Sequence, residues 1–438
     1  MNRPAEESAA SPQLAVIIPA LNERENLEIL LPAVREEIAQ LGVAAEIVVV
    51  DGGSNDGTPE AARQRGARVV PQRERGYGGA LLAGFAATAS PYIVTMDADL
   101  SHRPVFLHDF WRRRDEAEVL IASRYIAGGR ADMGRFRKVL SLVLNRTYRR
   151  ALSLPLRDLS SGFRMYRRAT LAGLSIRARD FDALEEILIR VHAEGWRVLE
   201  VPFHYMARGS GRSHARLFKF GWAFLKTLGR MWRLRNSVAA ADYDCRAYDS
   251  PVWLQRYWQR ARHRTILDFL DQRDGILDIG CGSSRIILDL PEAVGLDILQ
   301  NKLRWLRFRH RRLVRASCDR LPFGDGSFAT VINSEVVEHV PDAPEVWTEM
   351  WRVLRPGGTL ILGTPDYDRW LWWVLEWIYG KVLPDAYAHE HITHYTRAGL
   401  TARLRAAGYE VLECRYVGAC EMIFKVRKPL VVHRVRRQ

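Results

Sequence analysis

The chain is poor in cysteine and has no long apolar run, and each shortage removes a class of protein. Its five cysteines in 438 residues are scattered, with no Cys-x-x-Cys pair. That excludes a zinc ribbon or a disulfide-stapled module and fits a reducing compartment. No apolar stretch reaches the ~20 residues of a membrane-spanning helix. The most aromatic stretch, Trp370 to Leu383, is interrupted by Glu376 and Lys381. Met1 to Pro12 is polar and acidic and lacks the apolar core of a signal peptide. Acidic residues are also short: 51 Asp and Glu stand against 65 Lys and Arg, a formal net charge of +14. Such an excess calls for an anionic partner, whether nucleic acid, membrane surface or phosphorylated substrate. What the chain does have is the 47% apolar content of a globular protein. It is too long for one ordinary core, so two domains are expected.

Tyr92-Ile93-Val94-Thr95-Met96 reads as a buried strand and ends on Asp97-Ala98-Asp99. Two carboxylates flanking one small residue repel each other unless a cation lies between them. Mg²⁺ or Mn²⁺ takes oxygen ligands and bridges to phosphate oxygens, so the pair suits a diphosphate leaving group. Taken alone, a polar strand-to-loop turn is the stronger reading. The neighbouring segments reverse it. Leu14 to Pro19 is a buried-type strand followed by Asn22-Glu23 and an amphipathic helix from Glu25 to about Leu41. The strand Glu46 to Val50 runs into Asp51-Gly52-Gly53-Ser54-Asn55-Asp56-Gly57-Thr58, and after a helix comes the strand Ala67 to Val70. Arg75-Gly76-Tyr77-Gly78-Gly79-Ala80 opens the next helix. Strands alternating with helices predict a mostly parallel sheet covered on both faces. Ligands bind such sheets at the carboxyl ends of the strands, where three polar loops fall.

As an ordered set, Ile18-Pro19-Ala20-Leu21-Asn22-Glu23, Asp51 to Thr58 and Asp97 to His102 resemble the inverting GT-A glycosyltransferases of family 2. The nearest type is the dolichol- or polyprenyl-phosphate mannose and glucose synthases. Ser123-Arg124-Tyr125, Arg157 to Arg164, and Val201-Pro202-Phe203 leading to Arg208, Gly211 and Ser213 extend the resemblance over about residues 12 to 230. It implies that Pro19, Asn22, Glu23, Asp51, Gly53 and Asp97 bind the nucleotide-sugar, of GDP-mannose or UDP-glucose type. It also implies that Asp97 and Asp99 hold the metal. Gly52 stands where relatives often have a second Asp, and Arg75 where some have Lys.

A sugar hydroxyl acceptor needs a general base. A phosphate monoester is already ionised and needs cations to hold it. The segment from Arg124 to Arg150 carries eight: Arg124, Arg130, Arg135, Arg137, Lys138, Arg146, Arg149 and Arg150, among Val139, Leu140, Leu142, Val143 and Leu144. That reads as a basic amphipathic helix fit for a membrane interface. Leu217 to Leu234 is a second candidate, for which a core helix with a solvated basic face is an equal reading. By resemblance, Arg124, Arg137 and Ser141 are acceptor-phosphate contacts and Arg208 is a donor- or acceptor-phosphate contact, with Arg124 and Arg137 also counted as catalytic beside Asp97 and Asp99. The Gln-x-x-Arg-Trp pattern of processive synthases is absent.

Asn236 to Arg264 reads as a polar, aromatic connection. A new alternation then begins, with Gly275-Ile276-Leu277-Asp278-Ile279-Gly280-Cys281-Gly282 entering a glycine turn and Ala293 to Asp297 ending on a carboxylate. Backbone close to a ligand and a carboxylate for ribose hydroxyls is nucleotide-type chemistry. With Cys318-Asp319, Glu335 to Val340 and Leu354-Arg355-Pro356-Gly357-Gly358, the order resembles class I S-adenosylmethionine-dependent methyltransferases over about residues 262 to 425. The resemblance implies that Asp278, Gly280 and Gly282 line the cofactor's methionine end, that Asp297 binds its ribose and that Asp319 binds its adenine. Ser284 replaces a frequent third glycine, and Ser283-Ser284 is expected to donate to the cofactor carboxylate. His339 is expected to line the cofactor cleft. His389-Glu390-His391 and His394 have metal-ligand spacing, but a polar loop bordering the acceptor pocket is the favoured reading.

The expected fold class is therefore α/β in two domains, a GT-A fold followed by a Rossmann-like class I methyltransferase fold. The expected boundaries are 1–235, a linker at 236–261, 262–425, and a basic tail at 426–438. The expected function is bifunctional: inverting sugar transfer from a nucleotide-sugar to a polyprenyl phosphate, with Mg²⁺ or Mn²⁺, and methylation with S-adenosylmethionine. The place is cytoplasmic, peripherally on the inner face of a membrane. A noncatalytic scaffold role for the second domain, or a nucleic-acid-binding methyltransferase, are the alternatives. No nucleic-acid partner is expected, because no RNA-binding module is recognisable and the basic residues keep Leu-rich, aromatic company.

Overall fold

The computed structural model describes residues 11–206, 217–382 and 391–430. The chain divides into two units, one of Met1–His192 and Trp196–Trp232, the other of Ala193–Gly195 and Arg233–Gln438.

The first unit is built on strands β1 (Leu14–Ala20), β2 (Ala45–Asp51), β3 (Arg68–Pro71), β4 (Tyr92–Thr95), β5 (Val119–Ser123), β7 (Arg164–Arg167) and β8 (Val198–Pro202). A separate pair is formed by β6 (Arg130–Ala131) and β9 (His204–Tyr205). The sheet order is β3-β2-β1-β4-β7-β5-β8. β7 is antiparallel to both neighbours and the remaining pairs are parallel. This is a GT-A sheet. Its core follows from sequence period: Val16 and Ile18 of β1 point to the same face as Val49 and Val94 and are fully buried. The helix Arg24–Leu41 answers with Leu27, Leu30, Leu31 and Val34, spaced i, i+3, i+4, i+7. Each such buried aliphatic side chain contributes about 1.5–3 kcal/mol. Register then sets the site. Ala20 lies opposite Asp51, and Thr95 opposite Ile17. The ends of β1, β2 and β4 therefore bring Pro19, Asp51 and Asp97 to one edge.

The second unit is built on β10 (Ile276–Ile279), β11 (Val294–Asp297), β12 (Leu313–Arg315), β13 (Phe328–Ser334), β14 (Leu354–Pro365), β15 (Glu410–Val417) and β16 (Glu421–Arg427). The order is β12-β11-β10-β13-β14-β16-β15, parallel except for β16, which is antiparallel to β14 and β15. Counted from β10 as the first strand, this is the 3-2-1-4-5-7-6 order of the class I methyltransferase fold.

Two expectations are corrected here. Residues 236–261 are not a bare connection: they form the helix Tyr243–Tyr248 and most of the helix Trp253–Phe269, and belong to the second unit. Their polar composition hid this, because the apolar side chains that pack, such as Tyr243 and Trp258, are few. The basic stretch from Arg124 is likewise not helical throughout: the helix begins at Arg135, and Arg124 directly follows β5.

Candidate active sites of the two units

In the first unit a cleft of about 1320 Å³ opens at the carboxyl ends of β1, β2 and β4. Pro19, Glu23, Asp51, Gly53, Asp97, Asp99, Arg124, Arg137 and Ser141 all line it. Asn22 braces its rim instead. With φ at 55°, Asn22 accepts the Asn55 N–H on Oδ1 at 3.0 Å and donates its own N–H to Ser54 Oγ at 2.9 Å. Asp51 accepts the N–H groups of Gly53 and Ser54 at 3.1 and 3.2 Å, which turns that loop back over the strand end. Arg208 lies outside the described residues.

Around the two carboxylates are residues that the sequence did not single out. The Tyr77 hydroxyl donates to Asp97 Oδ1 at 2.8 Å while its ring stacks on Phe181 at 4.7 Å. Burial, then the Asp97 charge, holds that phenol far above its usual range. His102 Nδ1 accepts the Asp97 N–H at 3.0 Å, so Nε2 carries the proton and faces Asp97 Oδ2 at 3.7 Å. Burial lowers the His102 pKa, keeping the ring neutral. Asp99 Oδ1 accepts both the N–H and the hydroxyl of Ser101. Gly162 passes so close that a Cβ there would lie 2.8 Å from the Tyr77 hydroxyl and 3.2 Å from Asp97 Oδ1.

Arg124 is already engaged by its own chain. Its guanidinium makes a bidentate pair with buried Asp158 and also donates to Ser160 Oγ at 2.8 Å. Burial opposes its charge, but Asp158 outweighs burial and raises the guanidinium pKa. Arg124 is thus held by the protein as one wall of the cleft. Ser141, on the helix Arg135–Ala151, joins the same network. It accepts the Tyr125 hydroxyl at 2.9 Å and lies 3.2 Å from Ser160 Oγ. Arg137 shares the Ser141 face of that helix, lines the cleft and is exposed.

Beyond Arg137 the cleft turns apolar. Met133, Leu140, Val143 and Leu144 form one wall, and Phe224, Leu225 and Leu228 of the helix Leu217–Arg235 the other. The outer faces of both helices leave large apolar side chains in solvent, among them Phe136 at 69%, Val139 at 59% and Trp222 at 63% exposure. Among the described residues, no helix is long and apolar enough to cross a membrane.

In the second unit, Asp278, Gly280, Gly282 and Asp297 meet at the ends of β10 and β11. Asp297 accepts the N–H groups of Gly282 and Leu299, each at 2.8 Å, and burial raises its pKa. Asp278 is buried with Oδ2 unpartnered. Burial, then Asp297, pushes its pKa up to about 8. Gly280, at φ 68°, approaches Val336 so closely that a Cβ would lie 2.2 Å from its Cγ2. Asp319 is exposed in the loop after β12. The expectation for Ser283 is corrected: its N–H and hydroxyl both donate to Asp244, at 2.9 and 3.0 Å, and Lys302 Nζ donates to the same oxygen at 2.8 Å. Burial alone would raise the Asp244 pKa; Lys302 and Ser283 bring it below its ordinary value. Ser284 caps the next short helix by accepting the Ile287 N–H.

Past the end of β13 lies a buried acidic and imidazole group. Glu338 accepts the Thr364 hydroxyl at 3.0 Å, and burial raises its pKa above the usual carboxylate range. Its side chain, His339 and His391 come together. His394 does not join them; it stacks on Tyr367 at 4.0 Å. His389 and Glu390 lie outside the described residues.

The description Glycosyl transferase family 2 matches residues 15–174, and Methyltransferase domain matches residues 277–362. A dolichol-phosphate mannosyltransferase of Pyrococcus furiosus is 32% identical over 244 residues, which are 52% of this chain and 66% of that protein. An uncharacterized glycosyltransferase of Mycobacterium bovis is 31% identical over 204 residues, 47% of this chain and 90% of that one. Among solved structures, glucosyl-3-phosphoglycerate synthase of Mycobacterium tuberculosis with Mn²⁺, UDP and glucosyl-3-phosphoglycerate is 23% identical. It covers 53% of this chain and 86% of that one, with a TM-score of 0.41.

Proposed function

The chain belongs to glycosyl transferase family 2 and carries a second, methyltransferase domain, and on that premise we propose that its first unit transfers a sugar from a nucleotide-sugar to a polyprenyl phosphate at a membrane surface. The observation that carries the proposal is the continuity of one cleft from the Asp97 and Asp99 carboxylates, past Arg137, to apolar walls on two amphipathic helices. An ionised head fits the first part and a prenyl chain the second. Such a phosphate is its own nucleophile at neutral pH and needs positioning more than a base. Arg137 and Ser141 supply that positioning from one helical face. The Arg124–Asp158 pair keeps the wall behind them in place. The exposed apolar and basic side chains of the helix Arg135–Ala151 suit the anionic inner face of a membrane.

On the donor side, Asp51 and Glu23 bind the nucleoside in this reading, with Pro19, Asn22 and Gly53 shaping the loops around it; that Asp51 and Glu23 line the cleft supports it. Asp97 and Asp99, with neutral His102 beside them, offer the oxygen-rich donor set that suits Mg²⁺ or Mn²⁺. A cation held by these two carboxylates would supply charge neutralisation for a diphosphate leaving group. In the second unit, the unpartnered Oδ2 of Asp278 and the positive-φ turn at Gly280 and Gly282 fit the methionine end of S-adenosylmethionine. Asp297 serves its ribose and Asp319 its adenine. The cofactor supplies the methyl group, and the acceptor is held by the residues past β13.

The test is a donor screen. GDP-mannose and UDP-glucose are each offered with a polyprenyl phosphate and Mg²⁺ or Mn²⁺, and products are read by mass spectrometry. A prenyl-phosphate sugar is expected. Transfer only to a water-soluble acceptor such as 3-phosphoglycerate overturns the proposal.

A further inference from the structure

We propose that Glu338, His339 and His391 form a binding site for a divalent transition-metal cation in the second unit, and that this cation takes an oxygen of the methyl acceptor as a further ligand. The acceptor clause rests on the methyltransferase reading; the metal clause does not.

One carboxylate oxygen and two ring nitrogens lie within 4.8 Å of one another. Metal bonds of about 2.0–2.2 Å place ligand atoms about 3–4 Å apart, so small side-chain rotations close the set. Two of the three ligands are prepared for the task. Glu338 is fully buried and commits Oε2 to Thr364, leaving Oε1 without a partner. His391, its side chain 2% exposed, meets the Tyr367 oxygen through Nδ1 at 2.7 Å, and the Tyr367 hydroxyl in turn donates to Glu376 at 3.3 Å. That chain puts the imidazole proton on Nδ1. The lone pair is left on Nε2, which is buried and unpartnered. A carboxylate acting through an intermediary to orient a ligating histidine is how metal sites fix their tautomers.

Backbone and charge point the same way. The N–H groups of Ile392 and Thr393 donate to the Glu338 carbonyl at 2.7 and 3.0 Å, which ties the two sequence segments of the site together. Glu335 and Glu421 lie close by, both paired with Arg262, which makes two bonds to Glu421 and approaches Glu335 at 3.2 Å. The buried carboxyl groups of Glu335 and Glu338 hold their protons at a cost that a cation beside them would lift, since burial disfavours their charged forms. A divalent cation bound at Glu338 would favour its carboxylate form and displace that proton. Two imidazoles with carboxylate favour the Mn²⁺-to-Zn²⁺ series over Mg²⁺ or Ca²⁺. Val336, inside the same loop, packs on Gly280 of the cofactor turn. The loop that carries Glu338 and His339 is thereby joined to the cofactor turn, which is the basis for assigning the cation an acceptor oxygen.

The test uses the full chain carrying Asp97→Asn and Asp99→Asn, so that the first unit's carboxylates do not contribute. The protein is stripped with chelator and titrated with Co²⁺. One tight equivalent is expected, with the visible absorption of nitrogen-ligated Co²⁺ and displacement by Zn²⁺. Adding His391→Ala or Glu338→Gln should weaken binding by about tenfold or more, with folding checked by circular dichroism. No retained Co²⁺ in the parent, or equal binding in both variants, overturns the metal clause. The probe for the acceptor clause is 4-nitrocatechol, whose absorption shifts when its oxygens bind a metal; no shift with the Co²⁺-loaded protein overturns that clause. S-adenosylmethionine titration of the same samples separates the two readings. Cofactor binding without Co²⁺ sinks the metal site alone, and Co²⁺ binding without cofactor sinks the methyltransferase reading alone.

Discussion

Arg124 and Asp158 form a bidentate ion pair, Nε to Oδ2 at 2.8 Å and Nη2 to Oδ1 at 2.7 Å, with the arginine side chain 9% and the aspartate 0% exposed. Because both charges are desolvated, removing one strands the other. Arg124→Ala should therefore cost about 3–5 kcal/mol of stability, read as a lower urea midpoint. A change confined to the KM for acceptor, with stability intact, would return Arg124 to the role of a phosphate clamp.

Asp99→Asn should abolish sugar transfer with the fold retained, because one neutralised carboxylate removes much of the hold on the cation. Tyr77→Phe is the finer probe. It keeps the stack on Phe181 and deletes the bond to Asp97, worth about 0.5–1.5 kcal/mol. The metal concentration for half-maximal activity should rise a few-fold. Full activity of Asp99→Asn, or full wild-type activity in excess chelator, would remove the carboxylates from the site.

Arg137→Ala should raise the apparent KM for polyprenyl phosphate while donor binding stays nearly unchanged. Lysine should rescue only in part, since a point charge replaces a planar fork. A short-chain, soluble prenyl phosphate separates clamp from membrane anchor. If the variant is harmless with that acceptor and harmful only on vesicles, Arg137 contacts head groups and the clamp is wrong.

Asp297→Ala should weaken S-adenosylmethionine binding by about 1.5–3 kcal/mol, through loss of charge-assisted bonds to the ribose and of the brace on Gly282. Calorimetry showing unchanged affinity would take Asp297 out of the cofactor site.

Asp278 makes stability depend on pH in a defined direction. Its pKa is about 8 in the native state against an ordinary 3.8. Between those values the native protein holds a proton that the unfolded chain has released. Stability from this group is full below 3.8, falls as pH rises, and is gone above about 8. Asp278→Asn should flatten that dependence and raise the second unit's melting temperature at pH 8, while cofactor affinity drops. A melting temperature that falls equally with pH in both proteins would contradict the assignment.

The sequence alone determined the alternation of strands and helices in both halves and where their loops fall. Leu14 to Pro19 was legible as a strand and is Leu14–Ala20; the helix expected from Glu25 to Leu41 is Arg24–Leu41. Side-chain period is a local property, so a local reading recovers it. The loops bearing Asp51, Asp97 and Asp297 were legible for the same reason, since strand ends in parallel sheets collect ligand-binding residues. What only the tertiary structure decided is who pairs with whom. Nothing near Arg124 announces Asp158, nothing near Ser283 announces Asp244, and nothing near Glu338 announces His391. Nor does any local pattern tell that β7 enters the sheet antiparallel between β4 and β5. The segment 236–261 looked like a linker because its composition is polar, yet Asp244 within it braces the glycine turn. Burial and partnership depend on residues distant in sequence. They turn one conspicuous arginine into a wall of the cleft and make an inconspicuous glutamate part of a candidate metal site.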